Sequence, residues 1–123
     1  MSKENKIDKT NSIGELYIYK AEVIKIYDGD TFTVMVDHGF EVYTKRILRL
    51  ARIDTPELRG EEREEGLRVR DLVRERIPLG SIIIIKTDKD TRGSYYRYIA
   101  EVYFEGVNIN DWLLENGNAR LYE

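Results

Sequence analysis

A chain of 123 residues with 41% hydrophobic and 35% charged residues has the size and composition of one globular unit with a heavily charged surface. It contains no cysteine and a single histidine, which excludes disulfides, thiolate zinc sites, cysteine nucleophiles and any chemistry needing two histidines from one chain. Its net charge of -3 does not by itself suggest nucleic acid, yet 12 of its 20 basic residues are arginine, most of them between Arg46 and Arg76.

Residues 1–15 ("MSKENKIDKTNSIGE") lack the apolar content to join a core and are expected to be disordered, leaving 16–123 as one domain. No secretory signal or membrane span is visible, so a cytoplasmic location is favoured unless a leader has been removed. "LYIYKAEVIKIY" and "DTFTVMV" read as two strands joined at Asp28-Gly29, where glycine would accept the positive φ of a hairpin turn. "DHG" turns the chain into a third strand, "FEVYTKRILRLARI", and places His38 in a turn, away from any chemistry.

Pro56 stops the third strand. From Glu62 to Ile77, Val69, Leu72, Val73 and Ile77 recur at helical spacing among arginines and glutamates, which predicts one amphipathic helix ended by Pro78 and Gly80. "SIIIIK" reads as a strand covered on both faces, and "YYRYIAEVYF" as a tyrosine-rich fifth strand. "NDWLLENG" predicts a short helix with Asn110 as N-cap and Gly117 beyond its last turn, followed by an extended "NARLYE". The expected fold is mainly β with helices (α+β): a five-stranded OB-type barrel, an amphipathic helix between strands 3 and 4, and a short helix after strand 5.

Two acidic clusters stand out. Asp30 falls where a strand begins and loses hydration as the sheet packs, while Asp54 and Glu57 follow Arg49 at the end of the third strand. If Asp30 and Asp54 meet, two carboxylates, a nearby backbone carbonyl and water make a site for a hard cation such as calcium. Such an ion would polarise a phosphoryl oxygen, leaving Glu57 to accept a proton from, or orient, an attacking water, and Arg49 and Arg97 to stabilise charge on the phosphate. Taken singly, each residue has a plainer explanation: a strand-ending turn at Asp54-Thr55-Pro56, a charge near a helix at Glu57, a cross-strand ion pair at Arg49. Arg49 and Asp54 are also an odd number of residues apart, so one regular strand would turn them to opposite faces, and the strand must bulge or end between them.

"DGDT", then "LRLARIDTPE", then "YYRYIAEVY" and "GVNINDWLLENGNARL" together resemble the staphylococcal nuclease (thermonuclease) family, over about Tyr19 to Leu121. The resemblance implies an OB-fold barrel using Ca2+ to hydrolyse phosphodiesters of DNA and RNA, single strands favoured, leaving 3'-phosphate ends. It implies that Asp30 and Asp54 bind Ca2+ through side chains and Thr55 through its carbonyl, and that Glu57 acts as base or orients water. Arg49 would contact the scissile phosphate, Arg97 the pentacoordinate state, and Tyr95 the nucleotide. Ser94 stands where the family has lysine, Tyr96 where it usually has glycine, and the family's C-terminal helix has no counterpart through Glu123; weaker substrate binding is the expected result. DNA and RNA are the implied partners, with no membrane and no obligate protein partner. The alternative is a non-catalytic OB module binding nucleic acid or protein, which gives no reason to combine Asp30, Arg49, Asp54, Glu57 and Arg97. A carbohydrate- or protein-binding domain with a tyrosine platform accounts for "YYRY" but not for the acids.

Overall fold

A computed structural model describes residues 17–89 and 97–122. The segment 1–15, expected to be disordered, and Tyr95 lie outside the described residues. Strands β1 (Ile18–Asp28), β2 (Thr31–Asp37) and β3 (Tyr43–Leu50) form an antiparallel meander. β4 (Ile53–Asp54) follows after a break, then a 3-10 turn (Gly60–Glu62) leads into helix α1 (Arg63–Arg76). β5 (Ile82–Lys89) and β6 (Arg97–Phe104) extend the sheet in the order β3-β2-β1-β5-β6, and β6 closes it by running parallel to β3. The result is the expected five-stranded barrel of OB type with two helices. β7 (Val107–Asn108) precedes α2 (Ile109–Glu115), and β8 (Arg120–Leu121) pairs with β4 in a separate two-stranded ribbon.

The barrel core follows the period of two along each strand: Ala21, Val23, Val34, Val36, Leu48, Leu50, Ile83, Ile85, Ala100 and Val102 point inward and are buried. Val69, Val73 and Ile77 from α1 and the segment after it, with Ile109 and Leu113 of α2, complete the same cluster. At about 25 cal/mol per Å2 of apolar area, the burial of each of these Val, Leu and Ile side chains favours folding by roughly 1.5–3 kcal/mol. This inward set places the β1–β2 turn, the end of β3 and α1 against one another.

Three local expectations need correction. The isoleucine run is covered on one face only, because a barrel strand alternates: Ile83 and Ile85 are fully buried while Ile82 is 57% exposed and Ile84 39%. The N-cap of α2 is Asn108, whose side chain accepts from the Asp111 N–H at 2.9 Å. Asn110 lies inside the helix and is buried because its amide bonds the β6 backbone, receiving from Val102 N–H (3.0 Å) and donating to the Ala51 (2.9 Å) and Ala100 (3.0 Å) carbonyls. Gly29 does not take a positive φ. Glycine is required there by crowding: a Cβ would stand 2.8 Å from Val69 Cγ1 of α1 and 2.9 Å from Thr55 Cγ2.

Candidate functional site

The two acidic clusters meet. Asp30, only 6% exposed, sits at the start of β2 with its carbonyl accepting from Leu50 N–H at 2.9 Å, which continues the β2–β3 ladder to its end. Its carboxylate bridges to the second cluster directly: Oδ2 accepts from Thr55 N–H at 3.1 Å, and Oδ1 accepts from the Thr31 hydroxyl at 3.2 Å. These donors replace part of the hydration that Asp30 loses on burial.

Arg49 occupies the space between the acids. Its Nη2 is 3.7 Å from Asp30 Oδ2 and 3.2 Å from Asp54 Oδ1, and its Nη1 donates to the Leu50 (3.2 Å) and Ile53 (2.9 Å) carbonyls. The parity conflict is resolved by ending the strand. β3 stops at Leu50, Arg52 takes a left-handed φ of 71°, and the chain resumes as β4 with Asp54 turned to the same side as Arg49.

Sequence reasoning missed two further members. Pairing of β8 with β4 sets Asp54 against Arg120, whose Nη2 is 3.3 Å from Asp54 Oδ2, and leads to Tyr122, whose ring centre lies 4.6 Å from the Arg49 guanidinium carbon. The available signal was the extended segment after Gly117, which says nothing of its partner. A cleft of about 180 Å3 runs between Asp54-Thr55-Pro56 on one side and Gly117 to Arg120 on the other, with Glu62 among its walls.

Asp28, assigned only to the turn, is electrostatically part of the site. Burial, then the hydrogen bond and negative charge of Asp30, push its carboxyl from 3.8 up to about 7, against the opposing effect of the Asp30 N–H, which it accepts at 3.1 Å. Glu57 is exposed, and its N–H is held by Glu62 Oε1 at 2.9 Å. Helix α1 fixes the backbone behind it through Gly66: a Cβ there would fall 2.1 Å from the Glu57 carbonyl oxygen. Arg97 opens β6 in register with Ile47, two residues before Arg49 on the neighbouring strand, so both arginines belong to the same β3–β6 edge.

The donors available to a cation are all oxygen: the Asp30 and Asp54 carboxylates, main-chain carbonyls, and the Thr55 hydroxyl, which is buried without a hydrogen-bond partner. That set fits a hard, oxygen-seeking ion in kind. Among the described residues no three acidic or histidine side chains are grouped to hold a metal, so water or substrate oxygens would have to complete its coordination.

No helix among the described residues is long and apolar enough to cross a membrane. The search of curated proteins returned no match. The family model described as staphylococcal nuclease homologue matches residues 47–123, a stretch that holds Arg49, Asp54, Thr55, Glu57, Tyr95 and Arg97 and starts after Asp30. With more than half of its length matched, and with this barrel, the chain belongs to the staphylococcal nuclease homologue family.

Proposed function

We propose that the chain is a Ca2+-dependent phosphodiesterase that cleaves DNA and RNA internally, prefers single strands and leaves 3'-phosphate ends. The observation that carries this reading is the convergence of Asp30 and Asp54 on Arg49 from two distant stretches of chain, with the Thr55 N–H donating to the Asp30 carboxylate. Stability alone gives little reason to shield a buried Asp30 and a partly buried Asp54 around one guanidinium at 3.7 and 3.2 Å, because desolvating those charges offsets most of their attraction.

Asp30 and Asp54, with the Thr55 carbonyl, would hold Ca2+, which would act there as a Lewis acid toward a phosphoryl oxygen. Arg49 exchanges part of its carboxylate contact for the incoming phosphate and donates to its equatorial oxygens. Arg97, on the adjoining strand, adds a second guanidinium as charge builds on those oxygens. Glu57, exposed at the edge of the site, orients the attacking water or takes its proton. Tyr95 contacts the nucleotide.

The test is digestion of single-stranded DNA and RNA by the wild type and by Glu57→Ser, with Ca2+ and with a chelator, followed by end-group analysis. The expected outcome is Ca2+-dependent cleavage leaving 3'-phosphates, lowered about 10²–10⁴-fold in the variant. A second reading, a non-catalytic module binding nucleic acid or protein, is favoured by one observation: Arg49 neutralises both carboxylates with no metal needed. A folded wild type that cuts neither polymer at low salt with Ca2+ establishes that reading instead.

A further inference from the structure

The charges of this acidic chain are unevenly spread. On the outer face of the barrel, Lys25 of β1 pairs with Thr33 of β2, Thr33 with Ile47 of β3, and Ile47 with Arg97 of β6, so a cation stands at each end of one cross-strand row. At about 4.8 Å per strand this row spans roughly 14 Å. Along it lies a groove of about 720 Å3 whose described lining includes Lys25, Lys45 and Arg46 and no Asp or Glu. Apolar surface is interleaved with these cations: Ile24 and Ile47 are 38% and 37% exposed, Tyr98 lines the same groove, and Lys25 Nζ stands 5.9 Å from the centre of the exposed Tyr27 ring.

The groove leads into the candidate site. One step of two residues along the strands, about 6.7 Å, takes the Thr33–Ile47 pair to Thr31–Arg49, and Thr31 donates to Asp30. We infer that this groove on β1, β2 and β3 carries the single-stranded nucleic acid substrate on its way to Arg49, with phosphates against Lys25, Lys45 and Arg46 and bases on Tyr27, Ile24 and Ile47. The inference rests on the phosphodiesterase reading and extends it with a substrate track. Cations without carboxylates suit a polyanion, and flat or apolar side chains between them suit unpaired bases, which a duplex keeps stacked inside.

The experiment measures binding of labelled 12-nucleotide oligo-dT and oligo-U by anisotropy in a chelator over a range of salt, beside cleavage of substrates of 2 to 12 nucleotides with Ca2+. The proteins are the wild type, the triple variant Lys25→Ala/Lys45→Ala/Arg46→Ala, and Lys86→Ala on exposed β5 as a charge control, each checked for an unchanged melting temperature. The triple variant is expected to bind the 12-mers at least ten-fold more weakly, to lower the log-log salt slope by about 2, and to lose more cleavage the longer the substrate, while Lys86→Ala matches the wild type. Equal binding of the 12-mers by triple variant and wild type overturns the track. If the wild type cleaves but the triple variant binds normally, only the track fails. If no protein cleaves while 12-mer binding still falls in the triple variant, the proposed activity fails and the groove remains a nucleic-acid face.

Discussion

Arg49 and Arg52 lie three residues apart and each meets two carboxylates, yet their surroundings differ in kind. Arg52 is 43% exposed and makes short contacts: Nε and Nη2 reach the two Glu101 oxygens at 2.7 and 2.8 Å, and Nη2 reaches Asp111 at 2.7 Å. Arg49 is 12% exposed, and its carboxylates stand at 3.2 and 3.7 Å with Tyr122 against its face. The first arrangement ties the β3 turn to β6 and α2. The second holds a buried guanidinium on two main-chain carbonyls and, at longer range, two carboxylates, and in the proposed reaction a phosphate would take over part of the carboxylate contact. On the proposed reading, short exposed pairing makes Arg52 a strut, and longer, shielded pairing makes Arg49 the guanidinium of the candidate site.

The sharpest way to break this comparison is to exchange each arginine for lysine, which keeps the charge and removes the planar fork. Arg49→Lys is expected to lower kcat/KM about 10²–10³-fold with little change in melting temperature. Arg52→Lys is expected to cost about 1 kcal/mol of stability and less than ten-fold in kcat/KM, since Arg52 and Asp111 are themselves exposed. Kinetics and thermal melts on both variants decide the matter, and equal losses of activity would make the two arginines one network.

A smaller effect tests the scaffold on the Arg49 side. An alanine in an open helix gains about 1 kcal/mol over glycine. Gly66→Ala instead drives its Cβ into the Glu57 carbonyl, and a net loss of about 1–3 kcal/mol is expected in denaturant titration. A stabilised variant would mean that the Glu57 segment yields easily. Smallest is the pH response on the Arg52 side. Burial pushes the Glu101 carboxyl up, but hydrogen bonds from Arg52 and Asn108 outweigh it and hold the group below its usual 4.5. A depressed carboxylate contributes stability above pH 4.5 that is lost as pH falls through its folded value. Melting temperature should therefore drop more steeply below pH 4.5 in the wild type than in Arg52→Lys, and parallel curves would remove Arg52 as the cause.

The barrel was legible because Ala21, Val23, Val34 and Val36 alternate, and α1 because Val69, Val73 and Ile77 recur at helical spacing. The isoleucine run misled because four β-branched residues look alike, whereas only closure of the barrel decides which two face out. Asn110 was misassigned as a cap because its partners on β6 and at Ala51 are distant in sequence, while Asn108 two residues before it is an equally good capping residue. Asp30 and Asp54 could be named as candidates, but their meeting depended on register. Arg120 and Tyr122 reach the site through a two-residue ribbon, too short to leave a pattern.

The left-handed backbone at Arg52 also bears on how the family motif can vary in length. The four residues between Arg49 and Asp54 keep both side chains on one side only because one of them reverses the hand of the chain. A non-glycine residue in that conformation costs about 1–2 kcal/mol, which the contacts to Glu101 and Asp111 offset from the far side of the turn. An insertion or deletion of a single residue here would therefore disturb two things together: the facing of Arg49 toward Asp54 and the anchoring that tolerates the unfavourable hand. The spacing is held by chirality as much as by chemistry, and Arg52, which has no part in the proposed reaction, enforces it.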